Sequence, residues 1–145
     1  MINLKRIKAL ASGWAMAKPF PHIVVDDFFK IDVAKALEMD FPQFEDRLWN
    51  SYDNAIEVKK VCNDWNLFPE RTYDAFTYLN SPSFVNFLSQ CIFGKRILHC
   101  DPGLNGGGWH IHARGGKLNT HLDYSLHPKL GLQRKLNIIV YLNSA

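Results

Sequence analysis

The feature that most constrains the fold is a change in hydrophobic period at Gly94. Before Gly94, apolar residues recur at helical spacing, as in "IDVAKALEMDF", where Val33, Leu37 and Phe41 share one helix face. After it, apolar and polar residues alternate with the period of two that is typical of strands. Four segments show this alternation: "RILHCD", "GGWHIHA", "KLNTHLDY" and "KLNIIVYLN". The pattern predicts an α+β fold, with helices first and an antiparallel sheet second.

Local signals place the boundaries of these elements. The helical part is predicted from about residue 30 to 93 and the sheet part from about 96 to 143, all within one domain spanning residues 1–145. Pro42 ends the first of these helices, and Ser81-Pro82 separates two short helices, with Ser81 or Ser83 as the N-cap of the second. Gly94 provides its C-terminal end.

Other segments give weaker or open predictions. The start of the chain predicts a short helix, and "PFPHIVVDDFF" (residues 19–29) predicts a strand that leads into the first long helix. Residues 45–66 mix charged and aromatic residues without a clear period. Either a loop excursion or a pair of strands fits them.

Composition excludes several classes of protein. The 17 Lys and Arg residues exceed the 14 Asp and Glu residues by only three, without the basic stripe that nucleic-acid binding needs. The three cysteines show no C-x-x-C spacing, so neither a disulfide framework nor a zinc knuckle is indicated, and a reducing cytoplasm is expected. No run reaches the ~20 apolar residues of a membrane span. The outline of a secretory signal at the N-terminus is interrupted by Ser12-Gly13, which favours a helix there.

A Gly-Gly dipeptide between the second and third strand candidates predicts a tight hairpin. A two-residue turn at Gly115-Gly116 would place residues opposite each other as follows: Arg114 with Lys117, His112 with Asn119, and His110 with His121. One face of this hairpin would be mostly apolar: Trp109, Ile111, Ala113, Leu118, Thr120 and Leu122. The other face would collect three histidines with Asn119 and Asp123, as a binding cavity does.

The most specific chemical signal is the His121-x-Asp123 pair. Residues two apart on a strand point the same way, so the imidazole and the carboxylate can reach one metal ion from adjacent positions. A nitrogen ligand beside a hard oxygen ligand suits Fe(II). Alone, an H-x-D pair occurs by chance in many proteins, so its sequence context has to be considered.

That context resembles a known family. The stretch "GGGWHIHARGGKLNTHLDY" with the later "RKLNIIVYLN" is similar to the first half of the catalytic core of iron(II)- and 2-oxoglutarate-dependent dioxygenases, in particular the prolyl 4-hydroxylase-like group. In that family a Gly-containing hairpin leads into H-x-D, and a strand ending in Tyr-Leu-Asn follows, here Tyr141-Leu142-Asn143. The resemblance implies N-terminal helices packed on a partial double-stranded β-helix, which is a jelly-roll, cupin-like sheet.

The resemblance also implies roles for individual residues. His121 and Asp123 would be two of the three protein ligands of Fe(II), while Tyr141 and His112 would contact the cosubstrate 2-oxoglutarate. His110 would lie behind the ligands and orient them. Asn119 lies on the same polar face, and its position in a strand predicts an ordinary strand hydrogen bonder beside the ligands rather than a ligand. The implied reaction is hydroxylation of an unactivated C–H bond in a small molecule or peptide, and ascorbate fits as an accompanying reductant.

The chain departs from the family pattern after the Tyr-Leu-Asn strand. The family has a distal histidine and then a Lys or Arg for the 2-oxoglutarate carboxylate, and neither follows here. We therefore expect an N-terminal portion of such an enzyme, incomplete and inactive alone, which forms a homo-oligomer through its exposed C-terminal strand. The alternative is a noncatalytic cupin-like module for metal or ligand binding or for assembly, although residues 113–117 lack the glutamate of a cupin metal site.

Overall fold

The structure, a computed structural model, describes residues 1–142. It divides into two compact units that interleave along the chain. One unit comprises residues 1–40, 70–100 and 140–142, and the other comprises residues 41–69 and 101–139. The first is helical and the second contains an antiparallel sheet, which confirms the predicted α+β class at this coarse level.

The first unit contains the predicted helices. They are α1 (Leu4–Ala11), α2 (Ile31–Asp40), α3 (Glu70–Leu79) and α4 (Pro82–Phe93). The Ser81 hydroxyl accepts a hydrogen bond of 3.2 Å from the Phe84 N–H, as expected of an N-cap residue. Gly94 ends α4 with a left-handed backbone (φ 67°), which a residue without a Cβ adopts at little cost.

The core of this unit forms where the apolar faces of α2 and α3 meet. Phe29, Leu37 and Ala75 are buried there, with Val33 packed beside them, as the spacing of Val33 and Leu37 predicts. The Asp40 carboxylate joins the same two helices, since it accepts hydrogen bonds from both the backbone N–H and the hydroxyl of Thr72 in the first turn of α3. A carboxylate at a helix N-terminus satisfies free N–H groups and opposes the helix dipole favourably.

The predicted strand at residues 19–29 is wrong. Its only ladder contact in the described part of the chain is an isolated bridge between Phe29 and Ile2. Pro19 and Pro21 lack the N–H groups that a ladder requires, and Val24 is 68% exposed. The apolar residues of the segment therefore do not form a strand.

The sheet of the second unit is built around one central strand. Its members are β1 (Asn50–Asp53), β2 (Glu57–Cys62), β3 (Trp109–Ile111) and β4 (Lys117–Leu118). On one edge β2 pairs with β1, with Asn50 opposite Val61, so residues 45–66 contain the strand pair rather than a loop excursion. Half of the sheet thus precedes α3, and the predicted order of helices first and sheet second is wrong.

The predicted hairpin between β3 and β4 is also wrong. Both strands pair antiparallel with β2, with Ile111 opposite Lys60 and Lys117 opposite Val58, so they follow one another along the same edge. Between them, the Gly116 N–H donates to the Ala113 carbonyl at 2.8 Å, and Gly115 has a φ of 83°. This is a tight turn, but it forms an excursion within one edge instead of reversing the chain. His110 and His121 therefore do not face each other across a ladder.

The face assignment is correct only close to β3. Trp109 is 5% exposed and opposite the buried Cys62, whereas the next residue, His110, is exposed on the reverse face. Trp109 is the centre of an aromatic core, with ring centroids 4.9 Å from Phe68 and 5.7 Å from Phe41. Leu122, predicted on the same apolar face, is 98% exposed because the ladder has ended before it.

Two of the four strand candidates after Gly94 do not form strands. The segment "RILHCD" has no strand residue, and neither have residues 135–142 of the last candidate. Asn143, which ends that candidate, lies outside the described residues. A period of two is therefore not sufficient for a strand when no neighbouring edge is available to pair with.

Candidate metal-binding site

The His121-x-Asp123 pair lies directly after β4, where the chain leaves the sheet. The last ladder contacts come from Asn119, whose N–H donates to the Ile56 carbonyl at 2.8 Å and whose side-chain amide donates to the Ala55 carbonyl at 3.0 Å. Asn119 thus anchors the start of the segment, in keeping with its predicted role as a strand hydrogen bonder. His121 and Asp123 themselves are outside any strand and exposed.

The orientation of the His121 ring is defined by two contacts. Its Nδ1 atom lies 2.7 Å from the Asn119 carbonyl oxygen, and its Nε2 atom lies 3.2 Å from Oδ1 of Asp123. A carbonyl only accepts hydrogen bonds, so Nδ1 is the donor. In the neutral form of the ring the lone pair is then on Nε2, whereas a protonated ring donates from Nε2 to Asp123. A histidine whose Nδ1–H is bound to a backbone carbonyl, and whose Nε2 lies beside a carboxylate, has the ring orientation of a metal ligand.

The carboxylate of Asp123 is shared between two partners. Oδ1 faces His121, and Oδ2 lies 3.2 Å from Nη1 of Arg134. The guanidinium carbon of Arg134 also lies 5.2 Å from the centre of the Tyr124 ring, within the range of a cation–π contact. Neither Arg134 nor Tyr124 was predicted to belong to the site.

A short hairpin brings Arg134 back to Asp123. The Arg134 N–H donates to the Ser125 carbonyl at 3.0 Å, and Leu126 and Gln133 form an isolated bridge. Gly131, with a φ of 64°, lies in the connection. Pro128 and Gly131 are turn signals between two apolar stretches, so the sequence contains a signal for the turn but not for the residues that the turn brings together.

Two further contacts attach this hairpin to the loop that precedes β3. Nδ1 of His127 accepts N–H groups of its own loop, from Lys129 at 3.2 Å and Leu130 at 3.0 Å, which leaves Nε2 as the donor to Asp101 at 3.2 Å. The Tyr124 hydroxyl donates to the Asn105 carbonyl. The first half of the segment from Asp123 to Arg134 is therefore attached to this loop at Tyr124 and at His127.

The remaining predicted residues are in different surroundings. His112 is exposed in the excursion after β3. Tyr141 is 80% exposed and belongs to the helical unit. His110, on β3, is exposed as a residue, yet desolvation of its ring, followed by the charge of Lys59, lowers its pKa from the ordinary 6.5.

The donor spacing of His121 and Asp123 fits one metal ion. In octahedral coordination with bonds of about 2.1 Å, adjacent ligand atoms are about 3.0 Å apart. The observed separation of 3.2 Å between Nε2 and Oδ1 is close to this value. Among residues 1–142, however, no group of three or more His, Cys, Asp or Glu side chains is placed to hold a metal ion. His121 and Asp123 could therefore occupy two coordination positions of a metal ion, and the described residues place no third ligand of these types beside them.

The sheet unit also contains a small cavity of about 220 Å³. Its lining residues are Phe44, Ser51, Tyr52, Asp53, Val58, Lys59, Lys60 and Ala113, and none of them was predicted for the site. Both lysines are already engaged, Lys60 by a 2.7 Å hydrogen bond to the Phe44 carbonyl and Lys59 by a 2.7 Å ion pair with Glu57. These contacts explain how two ammonium groups are accommodated in partly buried positions.

Comparisons with protein-family models, curated proteins and solved structures gave no match to this chain. Across residues 1–142, none of the helices combines the length and the apolar character needed to cross a membrane.

Proposed function

We propose that this chain is part of an iron(II)- and 2-oxoglutarate-dependent dioxygenase of the prolyl 4-hydroxylase-like kind, which hydroxylates an unactivated C–H bond. The observation that carries the proposal is the His121–Asp123 geometry. The Nε2 atom of His121 and a carboxylate oxygen of Asp123 lie 3.2 Å apart, and the ring is oriented by a backbone carbonyl. The bound iron and 2-oxoglutarate would supply the oxidising chemistry.

The residues of the chain would perform distinct tasks. His121 and Asp123 would bind the metal ion from adjacent positions, and the Asn119 carbonyl would keep the His121 tautomer that leaves Nε2 free. His112 and Tyr141 are proposed contacts of 2-oxoglutarate, on the strength of the sequence resemblance. His110 is proposed as a support of the metal ligands on the same basis.

The proposal also covers the type of fold that the sheet belongs to, the class of substrate and the cellular compartment. The antiparallel sheet would be part of a double-stranded β-helix, and its support is the long edge of β2, along which β3 and β4 pair one after the other. The substrate would be a small molecule or a peptide in the cytoplasm, and the spread of positive charge argues against nucleic acid.

A binding experiment without oxygen tests the proposal. Fe(II) and then 2-oxoglutarate are added anaerobically, and the visible absorption that arises when a keto acid chelates Fe(II) is recorded. We expect the band for the wild type and its loss in His121→Ala, because one of two ligands is removed. His22→Ala is a matched control, since His22 also has Nδ1 against a carbonyl two residues earlier, Phe20, at 2.8 Å.

The outcomes separate the two candidate functions. Fe(II) binding that is lost in His121→Ala but gives no band with 2-oxoglutarate would favour the noncatalytic metal-binding module. Equal behaviour of His121→Ala and His22→Ala would contradict the site itself. We further expect little succinate from the chain supplied with Fe(II), ascorbate and 2-oxoglutarate, because the described residues provide only two metal ligands. Rapid turnover would contradict this two-ligand description.

A further inference from the structure

The contact between Arg134 and Asp123 suggests that the hairpin at residues 125–134 orients the Asp123 carboxylate. An aspartate beside a metal can bind through one oxygen or through both, and the two modes give different coordination numbers. Here Oδ2 of Asp123 is paired with Nη1 of Arg134 at 3.2 Å. Only Oδ1 is directed at His121, at 3.2 Å from Nε2.

Arg134 is restrained from three directions. Its backbone N–H is bound to the Ser125 carbonyl, its guanidinium lies over the Tyr124 ring at 5.2 Å, and its Nη1 faces Asp123. Tyr124 is in turn fixed by its hydroxyl, which donates to the Asn105 carbonyl. A guanidinium that is already oriented loses less conformational freedom in binding a carboxylate than a free side chain does.

We propose that Arg134 is a positioning residue that occupies Oδ2 of Asp123 and so makes this carboxylate a one-oxygen metal ligand. The inference rests on the proposed function, since it assumes that His121 and Asp123 bind a metal. One-oxygen binding leaves one more coordination position for a cosubstrate than two-oxygen binding would. Arg134 would therefore act on the number of open positions without touching the metal.

The positive charge of Arg134 also repels a cation, which opposes its positioning effect. The Asp123 side chain is 50% exposed and that of Arg134 is 26% exposed, so water and salt screen this repulsion strongly. Orientation is short-range and is not screened in this way. We therefore expect the loss of orientation to dominate when Arg134 is replaced.

The test uses Co(II) and Mn(II) as probes of the full chain. Arg134→Gln removes the guanidinium, and Lys135→Gln removes the same charge from the adjacent exposed residue. We expect Arg134→Gln to bind Co(II) about tenfold more weakly than Lys135→Gln, the lower end of what loss of a ligand's hydrogen-bond partner costs. Arg134→Lys, which keeps the charge but not the planar fork, should lie between them.

The visible absorption of bound Co(II) gives a second readout that general destabilisation would not produce. Its intensity reports coordination number, so release of Oδ2 in Arg134→Gln should change the spectrum at saturating Co(II), while Lys135→Gln should match the wild type. Thermal unfolding of each variant shows whether the hairpin still folds.

Three results would overturn the inference in distinguishable ways. If His121→Ala abolishes binding but Arg134→Gln behaves like Lys135→Gln in both readouts, the metal site stands and the role of Arg134 is refuted. If Arg134→Gln has the wild-type spectrum at saturating Co(II), and its weaker Co(II) binding parallels a loss of thermal stability, Arg134 has only a structural role. If the wild type binds neither Co(II) nor Mn(II), both the metal site and the role of Arg134 are refuted.

Discussion

At the scale of single residues, the surroundings of His110 change the pKa of its ring. Desolvation and the nearby Lys59 ammonium both disfavour the charged ring and lower its pKa from the ordinary 6.5, and a hydrogen bond with the Gly107 backbone opposes them only in part. The unfolded chain therefore binds a proton at a higher pH than the folded chain does. The contribution of His110 to the free energy of unfolding is therefore fully present above about pH 6.5. It decreases as the pH falls from there through the lowered pKa of the folded state.

This linkage predicts how a variant responds to acid. We expect the free energy of unfolding of the wild type to fall more than that of His110→Gln between about pH 7.5 and about pH 5.5, since the variant lacks the titrating ring. Urea unfolding at both values measures the difference. His99→Gln, a change of another exposed histidine, is the control. An equal fall in wild type and His110→Gln would show that the ring is not desolvated.

At the scale of elements, the start of β3 depends on Gly108. This residue has a φ of 94°, and a Cβ built on it would lie 2.2 Å from the carbonyl oxygen of Cys62 on β2. The close approach allows β3 to pair with β2 and brings Trp109 into the aromatic core. A side chain at this position would both strain the backbone and push the two strands apart.

We therefore expect Gly108→Ala to reduce the free energy of unfolding by about 2–4 kcal/mol. Gly103→Ala is the matched control, because its Cβ would meet only Oδ1 of Asp101 at an ordinary 3.5 Å. Its effect should stay within about 1 kcal/mol. Denaturant unfolding followed by tryptophan fluorescence measures both. Equal stability of the two variants would show that β3 adjusts without cost.

At the scale of the whole molecule, the segment before the end of the described chain exposes apolar side chains. Ile139 is 65% exposed and Tyr141 is 80% exposed, with Ile138 and Val140 partly exposed beside them. The predicted strand is absent in residues 135–142, but the apolar surface that motivated the prediction of self-association is present. We propose that two copies associate through this segment, because each would remove apolar surface of the other from water.

Sedimentation at micromolar concentration tests this proposal. We expect an oligomer for the wild type and a monomer for Ile139→Lys, since an ammonium group would be placed in the buried contact. Met39→Lys is the control, because it changes an 86% exposed apolar residue of α2 elsewhere on the chain. A monomeric wild type, or dissociation by both substitutions, would contradict association through residues 138–141.

How much of this protein was predictable from its sequence depends on how far each signal reaches along the chain. The helices α2, α3 and α4 with the Ser81 cap and Gly94 were predicted because spacing, capping and termination act within a few residues. The burial of Trp109 with His110 on the reverse face was predicted for the same reason, since strand alternation is local. His121 and Asp123 are only two residues apart, so their proximity also followed from the sequence.

Tertiary structure decided which segments pair. Gly115-Gly116 predicted a reversal, but β2 offered one edge to both β3 and β4, and the turn became an excursion. Pairing also determined that "KLNIIVYLN" does not form a strand in its described residues, although its alternation is clear. Likewise, Arg134 meets Asp123 only because the hairpin at residues 125–134 closes. The physical reason is the same in each case: a ladder or an ion pair needs a partner that is distant in sequence, and a local pattern does not contain the identity of that partner.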